Sequence, residues 1–225
     1  MPHIKATCVA GKTIEIDKYY SPRCHKKGEK RAPKEKITSE AQRRINLRKA
    51  IKTLRRLMNH NFCDGDYLVR LDFFRQQSPA GSEQMQELMK AFIRKLRTQF
   101  RKNDMELKYV YVKEIGPRGG RHVHMMMSKC DLDMIRKCWP YGGIHVDPLN
   151  TNGQYRKVAE YFVKYSSRTE ETEGRLIGKR WYASRNLARP LVKKRIISAN
   201  SFRKQVKVKN GYILDKDSVQ NGISE

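Results

Sequence analysis

The sequence predicts an α+β fold, an antiparallel sheet with helices packed on it. Three observations predict it. Over residues 61–174, stretches with apolar residues at every second position alternate with stretches whose apolar residues recur at helical spacing, in the order β-α-β-β-α-β-α. Two strand-like stretches, Leu107 to Ile115 and Arg121 to Met127, flank Gly116-Pro117-Arg118-Gly119-Gly120, the composition of a hairpin turn. That middle region is also nearly balanced in charge, while the sequence on either side is strongly basic.

The elements follow in order. Residues 1–20 alternate roughly as a strand, around Thr13-Ile14-Glu15-Ile16, and residues 21–36 read as an exposed loop rich in Lys, Pro and Gly. Ser39 with Gln42 three residues on resembles a capping box. It opens a helix of about 20 residues with Leu47, Ala50, Ile51, Leu54, Leu57 and Met58 on one stripe. A turn at Cys63-Asp64-Gly65-Asp66 leads into a strand from Tyr67 to Phe74, then a loop at Ser78-Pro79-Ala80-Gly81. The next helix carries Met85, Leu88, Met89, Phe92, Ile93, Leu96 and Phe100 on its core face. After the hairpin come a short helix (Leu132 to Trp139), a short strand (Gly143 to Val146) and a helix from about Gly153 to Ser167. The expected organisation is a basic N-terminal extension with a helix (1–60), a core (61–174) and a basic C-terminal extension (175–225).

Charge narrows the class of partner. The chain carries a net +26 in 225 residues. Residues 1–60 hold 17 Lys and Arg against 5 Asp and Glu, and residues 175–209 hold 12 against none. The middle holds 19 against 15. A polyanionic partner follows. Charge alone would suit a nucleic-acid-binding protein without catalysis as well as an enzyme, so the core must decide. No apolar run approaches the roughly 18 residues that span a membrane, and Met1-Pro2-His3-Ile4-Lys5 has no hydrophobic signal region. The expectation is a cytoplasmic protein with no membrane partner. Five cysteines, an odd number with no Cys-x-x-Cys pair, argue against a disulfide framework and a zinc site of usual spacing. The adjacent Cys24-His25 could hold a metal, but nothing in its spacing asks for one. Ala10-Gly11-Lys12-Thr13 ends like a phosphate-binding loop, yet Ala6 stands where the first glycine belongs and strand-like alternation follows in place of a helix. ATP binding there is rejected.

Two constellations carry chemistry. In Arg121-His122-Val123-His124-Met125 the two imidazoles share one face of a strand. If Gly116 to Gly120 form the hairpin loop, Ile115 pairs with Arg121 and Glu114 lies opposite His122, on the same face. Glu114, His122 and His124 then converge, a set that suits Mg²⁺ or Mn²⁺ acting as a Lewis acid. A slip of one residue would turn Glu114 away, leaving His145 or Asp147 as the third ligand. The second constellation is the helix around Tyr161-Phe162-Val163-Lys164-Tyr165. Tyr155, Val158, Ala159, Phe162 and Val163 form its apolar face, Lys157, Tyr161, Lys164 and Arg168 cluster opposite, and Tyr165 sits at the border. Phenol titrates near pH 10, so a tyrosine that attacks phosphate needs neighbouring positive charge or a base. Tyr161 is placed to have it.

Together these residues resemble the HUH endonuclease superfamily, and within it the rolling-circle replication initiators of phages and plasmids. His122-Val123-His124 is similar to the His-hydrophobic-His motif, and Tyr161-Phe162-Val163-Lys164-Tyr165 to the two-tyrosine motif of phage initiators. Glu114 is spaced like the acidic metal ligand of several viral members, and Arg180 to Leu187 looks like the region after the catalytic helix. The resemblance covers about residues 60–190 and implies an RRM-like core. It also implies a metal site at Glu114, His122 and His124, catalysis by Tyr161, Tyr165 and Lys164, and nicking and rejoining of single-stranded DNA at an origin through a 5′-phosphotyrosine link. One tyrosine would cleave and the second accept the strand; Tyr161 is preferred as the first. A host helicase is the implied protein partner, in a bacterial host cell. Lys157, Arg168, Arg180, Trp181 and Arg185 are the expected DNA contacts. Two other readings stay open: a single-strand transposase or mobilisation relaxase, and a non-catalytic nucleic-acid binder, which would want stacking aromatics on the sheet. Tyr109 and Tyr111 fall on the opposite face from Glu114.

Overall fold

The computed structural model describes residues 2–20, 39–115, 119–172 and 179–219. The loop expected at 21–36, Cys24-His25 and Gly116-Pro117-Arg118 lie outside the described residues. The described chain forms two compact units: a smaller one from residues 2–8, 15–20 and 192–219, and a larger one from residues 9–14 and 39–191.

Residues 2–20 form two strands, not one. β1 (His3–Ala10) and β2 (Thr13–Tyr20) flank a tight turn at Gly11-Lys12. β1 also pairs antiparallel with β8 (Val192–Ile197), from His3 opposite Ile197 to Cys8 opposite Val192. Gly11 has φ +54°, a conformation that suits glycine, and a Cβ there would fall 2.0 Å from the Asn59 carbonyl oxygen. The Ala10-Gly11-Lys12-Thr13 segment is thus a hairpin turn, closed by the Thr13 hydroxyl donating to the Ala10 carbonyl at 2.7 Å.

The larger unit holds the expected β-α-β-β-α-β-α order. α1 (Glu40–Asn61) precedes it. Ser39 caps α1 by accepting from the Gln42 N–H, but the Gln42 amide turns to Asn46, so only half of the capping box forms. Then come β3 (Tyr67–Asp72), α2 (Ser82–Lys102), β4 (Tyr109–Ile115), β5 (Arg121–Met127), α3 (Leu132–Cys138), β6 (Ile144–Pro148) and α4 (Arg156–Thr172). A two-residue edge strand, β7 (Tyr182–Ala183), was not foreseen. The strands form one sheet in the order β6-β3-β5-β4-β7 with antiparallel neighbours. The fold is α+β.

Strand alternation divides the sheet's side chains between two cores. Val69, Leu71, Tyr109, Tyr111, Val123 and Met125 pack with the apolar stripe of α2 and with Ile135 of α3. Val110, Val112 and Met126 face the other way, onto Leu54 and Met58 of α1 and Ala159, Phe162 and Val163 of α4. Each fully buried Leu, Met or Phe adds about 1.5–3 kcal/mol, so both helical layers are held firmly to the sheet. No helix among the described residues is long and apolar enough to cross a membrane.

The end of β3 is clamped on three sides. The Asp72 N–H donates to the Gly143 carbonyl at 2.9 Å, and the Asp72 carbonyl accepts from the Trp139 indole at 3.1 Å. Gly142 lies so close that a Cβ would fall 2.1 Å from the Asp72 carbonyl oxygen. Because backbone atoms cannot give way as a flexible side chain can, Gly142→Ala is expected to cost about 1–3 kcal/mol, a melting temperature lower by roughly 3–10 °C. An unchanged thermal melt would show that the clamp does not exist.

Candidate active site

The hairpin register places the polar residues. Ile115 pairs with Arg121, so Glu114 lies directly opposite His122, as the five-residue loop requires. β3 flanks β5 on its other side, with Asp72 opposite His122 and Arg70 opposite His124. β6 adds His145 opposite Arg70. Alternation therefore gathers Glu114, His122, His124, Asp72, Arg70 and His145 on the face that α4 covers.

Their bonding differs from simple convergence. Glu114 Oε2 lies 2.9 Å from His124 Nε2, and both side chains are buried. His122 turns the other way, its Nδ1 2.6 Å from Asp72 Oδ1. The second Asp72 oxygen lies 3.1 Å from His145 Nε2. The reason is local: His122 has a carboxylate on each flanking strand, whereas Val112 and Arg70 flank His124, leaving Glu114 as its acid. Asp72 also receives the Arg70 guanidinium at 3.2 Å.

Among the described residues, no three His, Cys, Asp or Glu side chains surround one point as ligands would. The donor set nonetheless fits a divalent ion in kind, with two imidazoles and two carboxylates on one sheet face. A carboxylate on His122 Nδ1 fixes the ring and leaves Nε2 as the donor, the usual arrangement behind a metal-bound histidine. Asp72 was missed in the sequence. The signal was there, since Leu68-Val69-Arg70-Leu71-Asp72 alternates and ends with its acid on the face opposite Val69 and Leu71, but which strand lay beside it was not.

α4 brings the tyrosines onto this face. Tyr165 is buried and stacks on His124, ring centroids 4.2 Å apart and planes at 8°. Tyr161 meets the same imidazole edge-on at 5.2 Å and Tyr165 at 4.0 Å, and is 40% exposed. Tyr161 opens into a cleft of about 440 Å³ with Arg70, His124, His145, Asp147, Lys157 and Val158 on its walls. Lys164 is exposed one turn beyond Tyr161. Thr169 anchors α4 to the hairpin, its hydroxyl accepting from the Ile115 N–H and donating to the Lys113 carbonyl, both at 2.9 Å.

The expected DNA contacts are spread more widely. Lys157 lines the cleft beside Tyr161. The Arg168 side chain lies outside the described residues. Arg180 pairs with Glu170 at 3.0 Å and donates to the Ser167 hydroxyl at 3.4 Å, and Trp181 packs half-buried against the core beneath α4. Arg185 is exposed and acts on Tyr109, whose hydroxyl belongs to the opposite face of the sheet.

Residues 66–170 match the family model of the replication-associated protein ORF2/G2P. The matched stretch contains Asp72, Glu114, both hairpin histidines and both α4 tyrosines. This match supports a protein of the replication-initiator type, with a role in replication initiation. No curated protein matches the chain. Among solved structures, the chain is similar to the hypothetical protein ORF119 from Sulfolobus islandicus rod-shaped virus 1, at 16% identity over 53% of this chain and 93% of that chain, with a TM-score of 0.34.

A buried imidazole stripped of its acid keeps an unmet polar group. Glu114→Ala is therefore expected to cost about 1–3 kcal/mol, read as a lower urea midpoint. Lys164→Ala, on the exposed side of α4, should stay within about 0.5 kcal/mol of the parent. Equal midpoints for the two variants would mean that the Glu114–His124 pair is not made in solution.

Proposed function

We propose that this chain is a replication-initiator endonuclease that nicks and rejoins single-stranded DNA at an origin through a 5′-phosphotyrosine intermediate. One observation carries the reading: two tyrosines of one helix lie against a histidine of a His-x-His strand, on a sheet face that also holds two carboxylates. Neither motif alone would justify it.

In this reading His122, His124 and Glu114 would hold Mg²⁺ or Mn²⁺. When bound, the ion supplies Lewis-acid polarisation of the scissile phosphate. Asp72 orients His122, and Glu114 orients His124 and satisfies it underneath the tyrosines. The cleft beside Tyr161 receives the strand, and Lys157 and Arg70 offset the phosphate's charge. Tyr161 attacks first because it is the more exposed of the two. Its hydroxyl oxygen bonds to phosphorus as the phenol gives up its proton, and the bond to the 3′ oxygen breaks. That oxygen takes up a proton and leaves as a 3′-OH. Lys164 stabilises the developing negative charge. The phosphotyrosine keeps the bond's energy, so attack by a 3′-OH reseals the strand without ATP. Tyr165 serves as the second acceptor, which requires it to leave its stack on His124. A host helicase would supply strand separation.

The test is incubation of the full chain with single-stranded origin oligonucleotides and Mn²⁺ or Mg²⁺, followed by denaturing gels. A covalent adduct is expected, abolished in Tyr161→Phe plus Tyr165→Phe, and His122→Ala should lose activity. Asp72→Asn should form adduct about 10–100-fold more slowly, as expected when the group that orients a metal ligand is lost, with partial recovery at higher Mn²⁺. Adduct undiminished in the double tyrosine variant, or full activity in His122→Ala, would refute the mechanism.

A further inference from the structure

The face of the five-stranded sheet away from the histidines has a recess of its own, about 250 Å³ in volume, between α2 and the edge strand β7. Its floor is aromatic. Tyr111 and Tyr182 stack with ring centroids 5.0 Å apart and planes at 12°, and Tyr109 lies 6.0 Å from Tyr111. Its rim is cationic. Arg94 and Arg97 project from α2, and Lys179 comes from just before β7, all three exposed. Among the described residues no acidic side chain lines it, although Lys90 at its margin pairs with Glu87.

Two further observations describe the polar groups of its wall. Gln86 donates from Nε2 to the Tyr111 hydroxyl at 2.9 Å, while its Oε1, buried, has no hydrogen-bond partner among the described residues. Buried acceptors are normally satisfied, and this one belongs to a residue of the recess wall. Burial raises the Tyr109 phenol above its ordinary value, and the Arg97 and Arg185 guanidinium groups draw it back. Arg94 and Arg97 line the recess together with the tyrosines. Aromatic rings pack against nucleobases, and guanidinium groups hold phosphate. The volume falls below the roughly 300–1,000 Å³ of pockets that engulf a drug-sized ligand, which suits a single ring system.

We propose that this recess is a second nucleic-acid contact, holding one unpaired base of single-stranded DNA and its phosphate on the side of the sheet opposite the tyrosines. The proposal rests on the reading that single-stranded DNA is the substrate. The sheet edge supplies the route: Trp181 packs toward the α4 side and its neighbour Tyr182 toward the recess. A strand leaving the cleft would cross β7 to reach it. Bases away from the nick would then be held without being cut.

The test uses the full chain and single-stranded DNA carrying 5-iodouracil at successive positions, with ultraviolet cross-linking and peptide mapping. Cross-links to the peptides holding Tyr109 or Tyr182 are expected. Arg94→Ala plus Arg97→Ala, both exposed, should flatten the dependence of log affinity on log salt by about 0.7, the share of the one phosphate held in the recess. The same variant should form the tyrosine adduct at an unchanged rate on saturating short oligonucleotide. Adduct formation with no cross-link in the recess and an unchanged salt slope would overturn this inference alone. Cross-links at Tyr182 with no adduct anywhere would overturn the nuclease reading and still support the recess. Equal or stronger cross-linking of iodouridine RNA of the same sequence would overturn the assignment to DNA.

Discussion

The pairing of β4 with β5 in one register is the constraint on which everything else in the larger unit rests. Side chains alternate across a strand, so a slip of one residue would turn β4 over against β5. Glu114 would enter the core now filled by α2, and Tyr109 and Tyr111 would meet α4. Burying that carboxylate among Met and Phe would cost several kcal/mol. The apolar pattern on one face therefore protects the polar pattern on the other, and the candidate site inherits its precision from the core behind it.

A second constraint ties the two faces together. Asp72 points its carboxylate toward His122 and His145, while its backbone carbonyl is held by Trp139, a buried member of the opposite core. Trp139 in turn packs edge-on against Phe92 of α2. The position of one candidate ligand partner thus depends on packing two layers away. The buried Glu114–His124 pair does related work beneath the tyrosines. It satisfies an imidazole that would otherwise be stranded in a low-dielectric layer, and it presents a flat ring for Tyr165 to stack on.

Much of this was legible in the sequence, and the parts that were not share a cause. Local signals succeeded: the Ser39 cap, the stripes on α1, α2 and α4, and the five-residue hairpin loop that puts Glu114 opposite His122. Pairing between strands distant in sequence was invisible. β3 could be read as a strand, but nothing local placed it beside β5, so Asp72 was not joined to His122, and the acids were divided between the histidines in a way no spacing reveals. The same blindness hid the pairing of β1 with β8, from opposite ends of the chain. The resemblance grouped Arg180 and Arg185 as expected DNA contacts. The sheet edge separates them, one engaged by Glu170 beside α4 and the other acting on Tyr109 across the sheet.

Mapping the covalent link itself tests the central claim most directly. The full chain would be incubated with a labelled origin oligonucleotide and Mn²⁺, digested with protease and nuclease, and its peptides sequenced by mass spectrometry. The account predicts a residual nucleotide joined through its 5′ phosphate to the α4 peptide, on Tyr161 in the first turnover. A nucleotide on a residue outside α4, or a link through the 3′ phosphate, would contradict it.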